Sequence, residues 1–366
     1  MFREEFIPNL RLRDYIQKMN HYIELEISKI PEQEVDVGDW VFRCLLGALG
    51  KTIWGGENGP FHDQEFLSHL RPFLLNLRAL NNPATYLIDK QLLESRRIVR
   101  DRLEKFTFEE YTEKCTGSQA DGQKEGGFLG RIRSLCIRQG APPEGWTDYQ
   151  LLLIAGIGPN IVAASTWLIY HLLADKDRLT KVRNEIDRVV TDHQGAVDLA
   201  DIPEACPLLY ATWIEVLRFH GTFTLGRYVH EDTTLADTYL FQKGSYALAP
   251  LQQHHFEPEV WGDDVNEFRP ERFIKCGKFD YETRKKVRVF GLFGTICPGR
   301  FLAANVALSL TIRLLSTFNV VVPGGDFILP EERKDSVVGL SPPERDILVG
   351  LSQRPLDHDI NLTWKS

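Results

Sequence analysis

The segment Phe290–Ala303, with the sequence FGLFGTICPGRFLA, is the most informative stretch of this chain. It places Cys297 in a glycine-rich loop directly before a predicted helix that begins near Gly299. The N–H groups of a tight loop and the positive end of a helix stabilise an anionic sulfur, so this position suits a metal-binding thiolate. A lone cysteine in such a loop is more often a small buried residue. The flanking residues must therefore decide between the two interpretations.

Three flanking residues favour the functional interpretation. Phe290 lies seven residues before Cys297, while Gly299 and Ala303 lie two and six residues after it. This arrangement resembles the haem-binding loop of cytochromes P450, in which a cysteine thiolate is the axial ligand of the iron. The resemblance implies haem b as the cofactor, Cys297 as the metal ligand, and Phe290, Thr295 and Gly299 as residues that bind the cofactor.

Two positions depart from the family loop. Phe293 stands where a glycine is usual, with Gly294 one residue later. Thr295 stands where an arginine or histidine normally pairs with a haem propionate, so propionate binding must rely on other groups. The run TICPGR at residues 295–300 resembles the loop of sterol 7α-hydroxylases, so the threonine is compatible with the family.

A second motif lies in WIEVLRF, where Glu215 and Arg218 share one face of a predicted helix. Such pairs are usually exposed and contribute little stability. Here apolar residues surround the pair, which predicts a buried ion pair that needs further partners. The later run FRPERF at residues 268–273 supplies Arg272. The three residues resemble the Glu-Arg-Arg triad of cytochromes P450, which implies a structural role beneath the haem.

Arg227 lies between these motifs, in the β-rich run LGRYVHEDT. The family usually has an arginine here that contacts a haem propionate, which makes Arg227 a candidate cofactor-binding residue. A solvated arginine on a strand is an equally good interpretation.

The apolar stretch Leu151–Tyr170 predicts a long buried helix, which in the family crosses the distal face of the haem. Counting back from Trp167 puts Pro159 and Asn160 where the family normally has an acid and a threonine that deliver protons to dioxygen. Pro159 should kink the helix. Asn160 is the candidate catalytic residue, although an amide cannot carry protons as an acid does. This chain resembles two groups of the family at these positions. Sterol 7α-hydroxylases insert oxygen, whereas prostacyclin synthases rearrange a peroxide.

Two other interpretations of this stretch are open. It is long and apolar enough to span a membrane, although Gly156, Gly158 and Pro159 favour a buried helix. The run GIGPNI after LLLIA is a partial dinucleotide-binding fingerprint, which would indicate a dinucleotide-dependent oxidoreductase. However, Ile161 stands at the third glycine position, and no alternation of strands and helices follows.

Composition narrows the classes of function. The chain of 366 residues has 43 basic and 51 acidic side chains, and its net charge of −8 argues against a nucleic-acid-binding protein. Its six cysteines include no C-x-x-C pair, which disfavours a structural zinc site and indicates a reducing compartment. The basic run Arg284–Arg288 is a candidate docking surface for an acidic electron donor, or simply a solvated face.

Periodicity predicts helices over residues 10–27, 39–53, 63–80, 85–106, 148–174, 175–192, 204–219 and 299–318. Short β-like runs fall at residues 225–230, 238–241 and 246–249, and residues 115–128 should form a loop. We expect a mainly α-helical protein with small β regions and a P450 fold that lacks its N-terminal part. We expect a single domain over residues 1–366, helical to about residue 222 and mixed β and haem-loop structure from about 223.

The resemblance implies a haem-dependent monooxygenase that oxidises a lipophilic substrate such as a sterol, a terpenoid or another secondary metabolite. NADPH–cytochrome P450 reductase would supply its electrons. The alternatives are a haem-thiolate isomerase or dehydratase that rearranges a peroxide without a reductase, or a non-catalytic remnant. Family members are usually anchored on the cytoplasmic face of the endoplasmic reticulum. The first residues of this chain show no anchor, so a cytoplasmic location is also open.

Overall fold

The computed structural model describes residues 6, 8–30, 34–54, 59–77, 79, 89–115, 128–140, 142, 145–292, 296–325, 327–334, 339–355 and 358–365. Residues 107–115 and 135 are described by their backbone alone. Within these ranges the protein is mainly α-helical with small sheets, which confirms the predicted fold class.

The helices are α1 (Leu10–Ile27), α2 (Val37–Trp54), α3 (Gln64–Leu75), α4 (Lys90–Cys115), α5 (Phe128–Arg138), α6 (Trp146–Ala174), α7 (Lys176–Asp192), α8 (Ile202–Ala205), α9 (Pro207–His220), α10 (Leu251–His255), α11 (Pro258–Trp261), α12 (Tyr281–Arg284) and α13 (Arg300–Thr317). Short 3₁₀ turns cover Pro60–His62 and Pro270–Phe273.

The strands are β1 (Glu34–Asp36), β2 (Ala196–Asp198), β3 (Thr224–Tyr228), β4 (Thr233–Leu235), β5 (Tyr239–Phe241), β6 (Tyr246–Pro250), β7 (Ile274–Lys275), β8 (Lys278–Phe279), β9 (Phe318–Val321), β10 (Leu348–Gln353) and β11 (Asn361–Thr363). The order β1-β10-β9 forms a three-stranded antiparallel sheet. The other strands form pairs, of which only β2 and β11 run parallel among the described residues.

Helix α6 crosses the core and contacts α2, α9 and α13. A Cβ atom at Gly158 would lie 2.9 Å from a methyl carbon of Leu46, so glycine permits the close approach of α6 to α2. Trp167, further along α6, is fully buried, and its ring N–H donates to the carbonyl oxygen of Ser341 at 2.7 Å. The helix therefore ties the early helices to the C-terminal segment.

The structure separates the interpretations of this apolar stretch. Residues 146–174 form one helix that continues through Pro159, so the dinucleotide-binding interpretation, which needs a strand over residues 151–155, is wrong. By length and composition, α6 is the one helix of the described chain that could cross a membrane. However, 61% of its most apolar window is buried inside the protein, which favours a core helix.

The other helix predictions differ mainly at the ends. Helices α1, α2, α7 and α13 begin and end within two residues of the predicted bounds. Helix α3 ends at Leu75, before the predicted residue 80. The helix predicted over 204–219 is divided at Cys206, because Pro207 lacks an N–H group and starts a new helix at its first position. Residues 80–88 and 116–127, which include the predicted break at Asn82-Pro83, lie outside the described ranges.

Candidate functional site

The loop before α13 holds Cys297 against the N-terminus of that helix. The N–H of Cys297 donates to the carbonyl oxygen of Phe290 at 2.7 Å, which closes the loop. Gly299 is the N-cap of α13, and the N–H groups of Gly299 and Arg300 donate to the cysteine sulfur. A helix N-terminus and two backbone N–H groups therefore surround the sulfur, which is the environment that a metal-binding thiolate needs.

Two opposing effects act on the Cys297 thiol. Packing of the loop on one side raises its pKa, and this outweighs the lowering by the N–H groups of Gly299 and Arg300 and by the Arg300 charge. On the other side the residue is exposed. The free thiol is therefore not a poised nucleophile, whereas a bound metal cation would favour the thiolate. The open side leaves the sulfur accessible to such a ligand.

Part of the loop lies outside the described residues, namely Phe293, Gly294 and Thr295. The predicted cofactor-binding role of Thr295 therefore stays a prediction.

Glu215, Arg218 and Arg272 meet in the core. Arg218 donates two hydrogen bonds to the Glu215 carboxylate, at 2.7 and 2.8 Å, and Arg272 donates a third at 3.0 Å. Glu215 and Arg218 are fully buried. The backbone N–H of Arg269 adds a further hydrogen bond to the carboxylate at 2.9 Å. The Glu215 charge is thus satisfied by two guanidinium groups and one amide, as a buried carboxylate requires.

The remaining donors of Arg218 organise the chain that leads to Cys297. They bind the carbonyl oxygens of His255, Val265 and Glu267 at 2.7, 3.0 and 3.2 Å. His255 in turn accepts a hydrogen bond from the backbone N–H of Arg288 at 2.9 Å through its ring Nε2. Arg288 lies two residues before Phe290, so the buried triad is linked to the base of the cysteine loop.

Arg227, on β3, lies close to the same loop. Its guanidinium donates to the carbonyl oxygen of Leu292 at 3.2 Å and to that of Gly226 at 2.9 Å. The residue is half-buried and forms further interactions. The structure therefore places a fixed cation beside the loop that carries Cys297.

Asn160 lies on α6 and contacts the C-terminal segment. Its side-chain oxygen accepts a hydrogen bond from the backbone N–H of Leu340 at 3.1 Å. Gly339 lies beside this contact, since a Cβ atom there would be 3.6 Å from the Asn160 oxygen and 3.7 Å from the ring of Phe223. The Leu340 N–H fixes the orientation of the amide, which leaves the Asn160 nitrogen as a donor. Sequence reasoning missed Phe223, Gly339 and Leu340, because nothing in their local pattern indicates this contact.

The residues present fit a thiolate-ligated macrocycle. Ile296, directly before Cys297, exposes 43% of its surface. An exposed apolar side chain directly before an accessible cysteine suits the surface that a flat, largely apolar cofactor would cover.

The basic run before the loop is only partly free. Lys285 pairs with Glu282 at 2.6 Å, and Lys286 donates to the carbonyl oxygen of Val260 at 3.2 Å. The Arg288 and Lys286 side chains still lie at the surface. The Arg284–Arg288 run therefore forms a basic surface, but fewer of its charges are unpaired than the sequence alone indicates.

The family model for cytochrome P450 matches residues 150–349, which is more than half of the chain. Similar proteins include a cytochrome P450 monooxygenase of Gibberella zeae, 25% identical over 82% of this chain and 58% of the relative. They also include the cytochrome P450 monooxygenase nodJ of Hypoxylon pulicicidum, 24% identical over 90% of this chain and 65% of the relative.

A human relative, 7-alpha-hydroxycholest-4-en-3-one 12-alpha-hydroxylase, is 28% identical over 57% of this chain and 45% of that protein. The chain thus spans less than two thirds of the length of these relatives. The family match covers α6 from residue 150 onward, the residues of the triad, Arg227 and the cysteine loop. On this match and the mainly helical fold, the chain belongs to the cytochrome P450 family, whose members bind haem through a cysteine thiolate.

Proposed function

We propose that this chain is a haem-dependent monooxygenase of one P450-like domain, with Cys297 as the axial ligand of the iron. The observation that carries the proposal is the position of the Cys297 sulfur, open on one side and bound by the N–H groups of Gly299 and Arg300 on the other. The hydrogen-bonded route from Arg218 through His255 to Arg288 supports it, since it gives the loop a rigid base.

Each candidate residue has a distinct proposed role. Cys297 would hold the iron, and Gly299 would stabilise the thiolate charge through its N–H group. Phe290 closes the loop through its carbonyl oxygen. Arg227 would contact a propionate, and Thr295 would contact the cofactor as part of the cysteine loop. When bound, thiolate-ligated haem supplies the chemistry of dioxygen cleavage, and the protein supplies orientation and electrostatics.

Asn160 would act through its amide nitrogen. Because the side-chain oxygen is held by the Leu340 N–H, the two N–H groups of the amide would be the donors toward a polar group of a ligand bound at the site. An amide positions a ligand but adds no proton of its own at neutral pH. Water or the substrate would then supply the protons that oxygen reduction consumes.

The proposed substrate is lipophilic. The exposed apolar side chain of Ile296, next to Cys297, supports an apolar surrounding for the site. One relative is named for a steroid, and others are fungal P450 monooxygenases, which supports a sterol, a terpenoid or another secondary metabolite. We further propose NADPH–cytochrome P450 reductase as electron donor, docked near the Arg284–Arg288 run, and the cytoplasmic face of the endoplasmic reticulum as the family-typical location.

One observation favours a second function, the rearrangement of a peroxide without a reductase. The described part of α6 has Pro159 and Asn160 where the family usually carries an acid and a threonine, and the Asn160 oxygen is engaged by Leu340. A reaction that uses a peroxide already holds its oxygen and needs no proton delivery to dioxygen. Turnover of a lipid peroxide without NADPH would establish this alternative, and a chain that holds no haem would support a non-catalytic remnant.

The test is the absorption spectrum of the purified, reduced protein under carbon monoxide, with haem supplied during expression. We expect a strongly red-shifted Soret band in the unchanged chain and its loss in Cys297→Ser. Cys276→Ser is the matched control, because Cys276 is also an exposed free cysteine but lies in the β7–β8 turn. A red-shifted band that persists in Cys297→Ser would overturn the ligand assignment.

A further inference from the structure

A chain of hydrogen bonds joins three titratable side chains that the proposed mechanism does not use. The Nε2 atoms of His171 on α6 and His220 at the end of α9 lie 2.7 Å apart. The Nδ1 atom of His220 lies 2.6 Å from a carboxylate oxygen of Glu332. The two histidines are 3% and 1% exposed, whereas the Glu332 side chain is 30% exposed. The chain of bonds therefore leads from a partly solvated carboxylate into the core.

Aromatic rings fix both imidazoles in place. Trp167 stacks on His220 with ring centroids 3.9 Å apart and planes 7° apart. Phe268 stacks on His171 with centroids 3.4 Å apart and planes 4° apart. Rings held in this way keep the same nitrogen atoms facing each other. When two neutral imidazoles meet through Nε2 atoms, one must donate and the other must accept.

The backbone of His220 holds the segment that contacts Asn160. The N–H of Ser341 donates to the carbonyl oxygen of His220 at 3.3 Å. The ring N–H of Trp167 donates to the carbonyl oxygen of Ser341 at 2.7 Å. The preceding residue, Leu340, donates its N–H to Asn160. Residues 339–341 therefore lie between the stacked histidine and the candidate catalytic side chain.

Glu332 is part of the same local structure. It forms an antiparallel bridge with Pro343, and the N–H of Arg333 donates to the carbonyl oxygen of Pro342 at 2.9 Å. The backbone of residues 332 and 333 is thus paired with Pro342 and Pro343, which directly follow residues 339–341 in the chain. A change in the hydrogen bonds of the Glu332 side chain would therefore also shift residues 339–341.

We propose that Glu332, His220 and His171 form a tautomer relay, in which the protonation state of Glu332 sets the tautomer of both histidines and positions the Leu340 N–H that holds Asn160. When Glu332 is ionised, it accepts from Nδ1–H of His220, and Nε2 of His220 accepts from Nε2–H of His171. When Glu332 is protonated, it donates to Nδ1 of His220, whose proton is then on Nε2 and is donated to Nε2 of His171.

The proton count of the two states is balanced by one proton from solvent. In passing to the second state, the Nδ1 proton of His220 moves to Glu332, the Nε2 proton of His171 moves to Nε2 of His220, and the proton from solvent is taken up at Nδ1 of His171. Both histidines stay neutral throughout. The consequence for Asn160 rests on the proposed function, whereas the relay itself does not.

The charges around the histidines oppose their protonation. Burial, together with the Arg218 charge, lowers the pKa of His220 to about 3. Burial, the neighbouring His220 and the Arg178 charge lower the pKa of His171 well below its usual value. Across the neutral range the pair therefore changes its tautomer and not its charge.

Glu332 is the group that titrates. Burial raises the pKa of its carboxyl group to about 7. On its own segment, Glu331 pairs with Lys334 at 3.7 Å, and Arg333 donates to the side chain of Asn76 at 2.8 Å. These neighbouring charges are engaged elsewhere, so His220 is the side chain that the carboxyl group faces in the described structure.

The test is ¹⁵N NMR of the histidine rings from about pH 5 to about pH 9, a range that brackets the ordinary histidine pKa. It uses the full chain, as the diamagnetic ferrous carbonyl complex where haem is bound. We expect His171 and His220 to exchange their protonated nitrogens with one midpoint near pH 7 and without becoming charged. The Leu340 amide signal should shift with the same midpoint. Single substitutions His171→Gln and His220→Gln assign the ring signals.

The decisive variant is Glu332→Gln, which keeps the size and hydrogen-bonding capacity of the side chain but cannot ionise. It should abolish the midpoint in both rings and in the Leu340 amide, while the neighbouring change Glu331→Gln should leave it in place. Tautomers that stay unchanged through the titration would overturn the relay, and an unmoved Leu340 signal would overturn its positioning role. Failure of the proposed function would show separately, as a missing red-shifted Soret band.

Discussion

The carbonyl oxygen of His255 accepts a hydrogen bond from the buried guanidinium of Arg218 at 2.7 Å. The ring of the same histidine accepts a second one from the backbone N–H of Arg288, two residues before the loop that carries Cys297. One residue thus connects the buried charge cluster to the cysteine loop. Loss of either contact should therefore disturb the cofactor site and also lower the free energy of unfolding.

Arg218→Ala tests the charge cluster. It leaves the Glu215 carboxylate with one guanidinium partner in the core and should cost about 3–5 kcal/mol of the free energy of unfolding. Urea denaturation measures the loss, and haem content measures its effect on the loop. Arg269→Ala is the control, because its ion pair with Asp264 at 2.7 Å lies at the surface and should cost about 1 kcal/mol or less. Equal losses in the two variants would contradict a structural role for the cluster.

His255→Gln tests the pH dependence of the link. Burial, with the charges of His254 and Arg218, lowers the pKa of His255 to about 4. Because the native state resists protonation, this residue contributes stability that is present above about pH 6.5 and is lost as the pH falls through about 4. The pKa shift corresponds to about 3 kcal/mol of the free energy of unfolding. Glutamine at this position does not titrate, so the variant should lack this part of the loss of stability at acidic pH.

Urea unfolding at a series of pH values measures the effect. The control is His230→Gln at an exposed histidine, which should leave the acid limb as it is. If the unchanged chain and the His255→Gln variant lose stability in parallel between about pH 6.5 and pH 4, the link does not depend on neutral His255.

Two substitutions at Asn160 distinguish its structural role from its chemical role. Asn160→Ala leaves the Leu340 N–H without its acceptor and should cost about 1–3 kcal/mol. Asn160→Asp keeps an acceptor for that N–H and adds an acid, so it should lower the hydrogen peroxide released per NADPH consumed. The exposed Asn266 offers the control, Asn266→Ala, which should change neither quantity. Peroxide release that rises in Asn160→Asp would argue against proton delivery from this position.

Gly195 tests the attachment of the C-terminal strand. It has φ of +86°, and a Cβ atom there would lie 2.1 Å from the carbonyl oxygen of Asp359. Gly195→Ala should therefore destabilise the protein well beyond the roughly 1 kcal/mol that a left-handed conformation costs an alanine. Gly244→Ala is the control, since its φ is +87° and its Cβ position is open. Thermal unfolding of the two variants separates backbone strain from steric contact.

Local patterns predicted the elements whose chemistry is contained in a few neighbouring residues. The cysteine loop, the Glu215–Arg218 pair and the bounds of α1 and α7 are of this kind, because helix spacing and capping act over a few residues. Helix α5 was missed, since the glycine-rich run before Phe128 outweighed the apolar residues that follow.

Contacts between distant segments could not be read in the same way. The Asn160–Leu340 bond joins residues 180 positions apart, and the His220–Glu332 bond joins residues 112 apart. In the sequence His171 is one polar residue in an apolar helix, and Glu332 is one acid in a charged run. Only their packing shows that they share a line of hydrogen bonds.

The position of α6 in the chain has a consequence for synthesis on the ribosome. Of the helices that contact it, α2, α3 and α4 precede it, whereas α7, α9 and α13 follow it in the sequence. Translation at about 5–20 residues per second separates the emergence of α6 from that of α13 by roughly seven to thirty seconds. During this interval α6, which is apolar enough to enter a bilayer, is packed against only some of the helices that bury it in the folded protein. We therefore expect the nascent chain to need α6 shielded, by chaperones or membrane-targeting factors, until its core is complete.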